Sequence, residues 1–272
     1  MRFRGMNRKQ PWGYGICPQQ RQATAKVYTL AISLHKAMVA MEMRLHDHHD
    51  HWRGGVAVRL EGVDIEYNVP CAMRDGTVLY ADIYRPSGPG PFPVLLMRQP
   101  YGKAIASTVT YAHPVWFARQ GFITVIQDVR GRGVSEGEFA PFVQEVEDGY
   151  DTVEWAASLP GSNGRVGMYG FSYQGSTQWA AASARPPGLT AIAPGMCAAD
   201  LYRGMFYPHG RFAIGSFLPW AYQLARDTAR RKGDEEAEAW CTRMMRNPDE
   251  ALHRLPLLKE DPVLAVYFTE YY

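Results

Sequence analysis

The chain has 272 residues, a formal net charge of +2, and contents of 46% hydrophobic and 21% charged residues. Those values suit one sizeable α/β domain with or without a small cap, and they argue against disorder as the default. The charge is not gathered into a dense basic patch beyond a mildly basic N-terminus, which argues against nucleic acid or an anionic membrane surface as the main partner.

Residues 1–60 read as an N-terminal extension, poorly ordered or forming a short helix. Lys26 to Met43 (KVYTLAISLHKAMVAMEM) is apolar but interrupted by His35, Lys36 and Glu42. It falls short of the roughly 18–20 residues of a membrane span. As a signal peptide its apolar core begins late, so a short amphipathic helix is the preferred reading and secretion stays open. Four of the eight histidines fall between His46 and His51, interleaved with Asp47 and Asp50. Such a tract can bind a divalent cation, but a solvated loop is the plainer reading, and no metal site is assigned. The four cysteines, Cys17, Cys71, Cys197 and Cys241, are scattered. They fit reduced thiols in a cytoplasmic protein and not a disulfide frame or a zinc site.

Residues 61–200 carry the patterned body. From Val63, EYNVPCAMRDGTVLYADIYRP predicts two strands joined at Arg74-Asp75-Gly76, where Gly supplies the positive φ of a tight turn. Pro86 ends the second strand. Val94 to Met97 forms a short apolar strand of the kind buried on both faces, a helix follows at Pro114–Gln120, and GFITVIQD is the next buried strand. Glu145 to Ser158 is helical, with Val146, Val153, Ala156 and Ala157 on one face and acidic residues suited to the helix dipole in its first turns. RVGMYG then reads as a strand, FSYQGSTQWAAASA as a small-residue helix, and LTAIAPG as a strand. This alternation implies βαβ units, hence an α/β fold with a mostly parallel sheet behind an N-terminal antiparallel hairpin. Residues 201–272 change texture to helical and aromatic, as part of a helical cap would.

Ser172 sits where a strand runs into a helix, at the carboxyl end where ligands bind such sheets. A serine nucleophile needs a base and donors for the oxyanion. The turn itself offers the backbone N–H of Tyr173 as one donor. Gly170 permits a tight turn, and Gly175 a close approach of helix to sheet. Against this stands an ordinary helix N-cap, which serine often supplies. The glycines are also offset, because Gln174 occupies the place where the second glycine of G-x-S-x-G belongs. VIQDVRGRGVSEGEF lacks the Gly-Lys-Ser/Thr ending of a phosphate-binding loop.

Taken together, AMRDGTVLYADIYRP, PVLLMRQPYGK, VIQDVRGRGVSEGEF, GRVGMYGFSYQGSTQW and AIAPGMCAADLYR resemble the CocE/NonD family of serine hydrolases, which is related to X-Pro dipeptidyl-peptidases. The resemblance runs in order from about Val69 to Tyr207. Its G-x-S-Y-x-G elbow accounts for the glycine offset through Gly170, Ser172, Tyr173 and Gly175. It implies an α/β-hydrolase fold, incomplete here, with Ser172 as nucleophile and the hydroxyl of Tyr101 in QPYGK as second oxyanion donor. Asp128 and Arg130 are expected to stabilise their loop and not to act in catalysis, and Asp200 to be structural. No cofactor is implied. The substrate would be a small ester or amide, or a short peptide, cleaved through an acyl-enzyme.

The family's acid and base follow the helical cap, and a C-terminal jelly-roll domain follows them. The chain is therefore expected to be the N-terminal portion of a larger hydrolase, with acid and base missing from it. His209 is the least poor base among the later histidines. The alternative is an inactive fragment, or one half of a split enzyme whose missing C-terminal part is a separate chain.

Overall fold

A computed structural model describes residues 56–60, 62–104, 111–253 and 261–267. The helix expected at 26–43, the histidine tract at 46–51 and Cys17 lie outside the described residues. Seven strands form one sheet in the order β1-β2-β3-β5-β4-β6-β7. They are β1 (Val56–Leu60), β2 (Val63–Ala72), β3 (Val78–Pro86), β4 (Phe92–Gln99), β5 (Ile123–Asp128), β6 (Ser162–Phe171) and β7 (Leu189–Gly195). Helices α1 (Pro114–Arg119), α2 (Glu145–Ala157) and α3 (Tyr173–Ala184) connect the parallel half, β5-β4-β6-β7. The other half, β1-β2-β3, is antiparallel and joins through an antiparallel β3–β5 pairing.

The predicted hairpin is β2 and β3, closed by Met73 N–H to Thr77 O at 2.8 Å with Gly76 at φ +85°. Strand structure begins at Val56 and not at Val63. Val58 and Leu60 are half-buried while Ala57 and Arg59 are exposed, and the segment pairs along the outer edge of β2, Val58 opposite Ile65. Every residue of β5 is buried, as the uninterrupted run ITVIQD requires. The core under the sheet gathers Ala81, Ile83, Val94, Leu96, Val125, Val153, Val166 and Met168. Burying each of the larger of these side chains favours folding by about 1.5–3 kcal/mol.

Helix α2 departs from the expected face. Val153 and Ala156 are buried, but Val146 is 38% exposed, and Glu145, Asp148 and Thr152 point inward instead. The acidic first turn thus does more than meet the helix dipole. Glu145 pairs with the fully buried Arg98 at 2.6 Å, and Asp148 with Arg130 at 2.6 Å. A buried charge is tolerated only when it is paired and hydrogen-bonded. Helices α2 and α3 lie close enough that a Cβ on Gly149 would fall 2.8 Å from the Ala181 side chain.

Beyond β7 come a π-helical turn (Tyr202–Phe206), a short 3-10 turn (Pro208–Gly210), and helices α4 (Ile214–Lys232), α5 (Glu235–Arg246), α6 (Pro248–Leu252) and α7 (Pro262–Tyr267). Leu218, Tyr222, Ala225, Cys241, Met244 and Leu264 bury one another in a second core, against which Tyr101 and Phe139 also pack. The buried carboxylate of Asp261 accepts from Tyr222 Oη at 2.6 Å, Trp240 Nε1 at 3.2 Å and the first N–H groups of α7. No helix among the described residues is long and apolar enough to cross a membrane.

Candidate active site

Ser172 occupies the N-cap position of α3, yet its side chain makes no capping hydrogen bond. Its backbone, at φ 62° and ψ −120°, lies where a side chain is strained. That leaves the hydroxyl free of the role that an ordinary cap would give it. The backbone N–H of Ser172 donates to Gly195 O at 2.9 Å, tying the bend to the end of β7. Tyr173 opens the helix, where an N–H has no carbonyl one turn back to bond.

The offset glycines have a steric explanation. Gly170 stands at φ +149°, and a Cβ there would collide with the Gln174 side chain. Gln174 fills that space and accepts from Phe171 N–H at 3.0 Å, so it braces the bend. One residue on, a Cβ at Gly175 would come 2.6 Å from Cys197 Sγ and 2.9 Å from Gly195 O. Gly175 is therefore a point of close approach between the helix and the end of the sheet. Gln178 completes the brace, donating to Gly170 O and Gln174 O and accepting from Ala193 N–H at 2.9 Å.

Tyr101 lies on the loop after β4. Its backbone N–H donates to Gln99 Oε1 at 2.8 Å, and Lys103 N–H donates to Asp128 Oδ1 at 2.7 Å. Lys103 Nζ sits between two buried carboxylates, 3.4 Å from Asp128 and 3.7 Å from Asp82. Burial pushes the Asp128 carboxyl up, against the pull of Lys103. The Tyr101 hydroxyl accepts from Trp220 Nε1 at 3.2 Å and interacts with Ser172. Burial raises its pKa above the ordinary phenol value, with Trp220 and Ser172 pulling the other way. The structure thus brings Tyr101, Ser172 and Tyr173 together.

The DVRGRG loop is a bracket. Arg130 reaches Asp148, Asp75 and Thr77, and Asp128 anchors the Tyr101 loop, as expected of both. A Cβ on Gly133 would collide with the Asp128 carboxylate, and one on Gly131 with the backbone at Phe139. Arg132, fully buried, reaches Asp227 of α4 at 2.6 Å and Leu224 O at 3.2 Å, with Phe139 at 3.8 Å against its guanidinium.

A cavity of about 590 Å³ opens at Ser172, walled by Phe142, Tyr173, Met205, Phe217 and Trp220. Its rings are packed: Phe142 stacks on Tyr173 at 4.5 Å, and Phe217 is backed by Phe206 at 4.4 Å. The Tyr173 hydroxyl donates to Glu145 at 2.9 Å and accepts from Phe142 N–H at 3.0 Å, which fixes the ring and so the start of α3. Neither Arg98 and Glu145 nor Trp220 and Asp227 stood out in the sequence. For Arg98 the only signal was a charged residue closing an otherwise apolar run.

His113, His209 and His253 are the histidines among the described residues, and none lines this cavity. His113 caps α1, accepting from Val115 N–H. His209 is exposed, and Asp200 accepts from Arg203 N–H in the π-helical turn. No group of three or more potential metal ligands occurs among the described residues.

The family model for X-Pro dipeptidyl-peptidase (S15 family) matches residues 75–264. Cocaine esterase from Rhodococcus sp. (strain MB1 Bresler) is 42% identical over 174 residues, which is 63% of this chain and 30% of that protein. A CocE/NonD family hydrolase from Staphylococcus aureus superposes with a TM-score of 0.57 at 30% identity, over 61% of this chain and 33% of that one. An α-amino acid ester hydrolase shares the fold, with a TM-score of 0.51 at 24% identity over 70% of this chain and 39% of that one. The chain therefore spans about a third of the length of these relatives, and the CocE/NonD resemblance is borne out.

Proposed function

Because the chain belongs to the X-Pro dipeptidyl-peptidase (S15) family, we propose that it carries the nucleophile side of a serine hydrolase cleaving ester or amide bonds through an acyl-enzyme. The observation that carries this reading is Ser172, strained at a helix N-terminus, without a capping bond, and lining an aromatic-walled cavity. In the first step Ser172 Oγ adds to the acyl carbonyl and its proton passes to a base. The new oxyanion accepts from Tyr173 N–H and Tyr101 O–H. Collapse expels the alcohol or amine with that proton, and water then releases the acid by the same route.

The aromatic wall favours an apolar acyl group in the cavity, on a small ester, a small amide or a short peptide. No cofactor enters the reaction. The unpaired thiols Cys71, Cys197 and Cys241 suit a reducing cytoplasm.

A fluorophosphonate probe with intact-mass readout tests the reading. One adduct, lost in Ser172→Ala, is the expected result. No adduct on folded protein would favour the second reading, an inactive fragment or one half of a split enzyme. That reading draws support from a cavity that no described histidine lines.

A further inference from the structure

We infer that Trp220 is a positioning residue that fixes which way the Tyr101 hydroxyl donates. The inference rests on the oxyanion role proposed for Tyr101. An indole N–H can only donate, whereas a phenol hydroxyl can donate one proton and accept as well. Trp220 Nε1 lies 3.2 Å from Tyr101 Oη. At that contact the phenol oxygen must accept, so its single proton is turned away from the indole. Without the indole, rotation about the C–O bond would let the hydroxyl donate to any nearby acceptor. A donor aimed before the reaction costs no reorientation when charge develops.

Trp220 is itself held from two directions. Its ring belongs to the aromatic wall, 6.1 Å from Phe142 and 6.2 Å from Phe217. Its helix, α4, is fastened to the DVRGRG loop by Arg132 with Asp227 and Leu224 O, and by Arg231 with Gly133 O. The same loop begins at Asp128, which anchors the segment carrying Tyr101. Phenol and indole are therefore referenced to one bracket, and their bond reports how α4 is seated.

A role as wall alone would let any ring of similar size replace Trp220. The test reads Tyr101 itself, in the whole 272-residue chain labelled with 3-fluorotyrosine. Its ¹⁹F resonance is assigned by Tyr101→Phe and followed through an alkaline titration. Removing the N–H in Trp220→Phe takes a donor from the phenolate, so Tyr101 should ionise about half a pH unit higher or more. Replacing Trp220 with 3-benzothienylalanine, which keeps the bicyclic shape and lacks the N–H, should give the same displacement without repacking. A Tyr101 titration unmoved by the benzothienyl variant overturns the inference, whatever the phenylalanine variant does. The displacement reads whether the indole donates to Tyr101 and not whether Ser172 is nucleophilic, so an unreactive serine would count against the hydrolase reading alone.

Discussion

Ser172 and Tyr101 meet at one site but are held on different length scales. On the serine side, Gly170, Gln174, Gly175 and Gln178 brace one another within three turns of chain, closing only on the end of β7. On the tyrosine side, the hydroxyl depends on an indole 119 residues away, and its loop on Asp128, 25 residues from Lys103. Short-range steric rules build the first. Long-range polar pairing builds the second.

Changes on the two sides should therefore differ in kind. The largest effect is expected for Ser172→Ala, which should abolish fluorophosphonate labelling without loss of fold. Ser172→Gly should also be silent yet gain about 1 kcal/mol in denaturant titration, because glycine relieves the positive φ. A glycine variant less stable than the parent would show that the serine backbone is not strained. On the other side, Tyr101→Phe should slow labelling about 10²–10³-fold, the usual loss for one oxyanion donor. It should leave the circular dichroism spectrum unchanged.

Gly133→Ala probes the bracket that both Tyr101 and α4 use. Its methyl would meet the Asp128 carboxylate, so a loss of roughly 2–3 kcal/mol in unfolding free energy is expected. The smallest effect concerns Asp75, whose carboxyl Arg130, and then the Thr77 N–H, hold down to about 2. A depressed acid lends stability that is present above its unfolded value of about 3.9 and lost as pH falls. Asp75→Asn should thus flatten the decline in melting temperature between pH ~4 and ~2 and change little in shape above it. An unchanged acid limb would mean that Arg130 does not tie the Asp75 turn to α2.

What could be read from the sequence follows the same division. The hairpin at Gly76, the buried run of β5 and the bend at Ser172 each depend on neighbours in the chain, and each was expected. The inward turn of Glu145 was not. A glutamate at a helix start suits the dipole equally well exposed, and only Arg98 on β4 shows that it is buried. Val146 failed as a face residue for the same reason, since the polar side of α2 has partners to bury against. Tyr101 was identified through resemblance, but nothing around Pro219 marked Trp220 as its hydrogen-bond donor.

The bond between Trp220 and Tyr101 also has a consequence for synthesis. Translation proceeds from the N-terminus at about 5–20 residues per second, and early segments can fold before later ones exist. The residues of the bend at Ser172 and of the strands that brace it are synthesised before those of α4. Over that interval the Tyr101 hydroxyl has no indole to orient it. The nascent chain thus contains every residue of its elbow before it contains the indole that orients the Tyr101 hydroxyl.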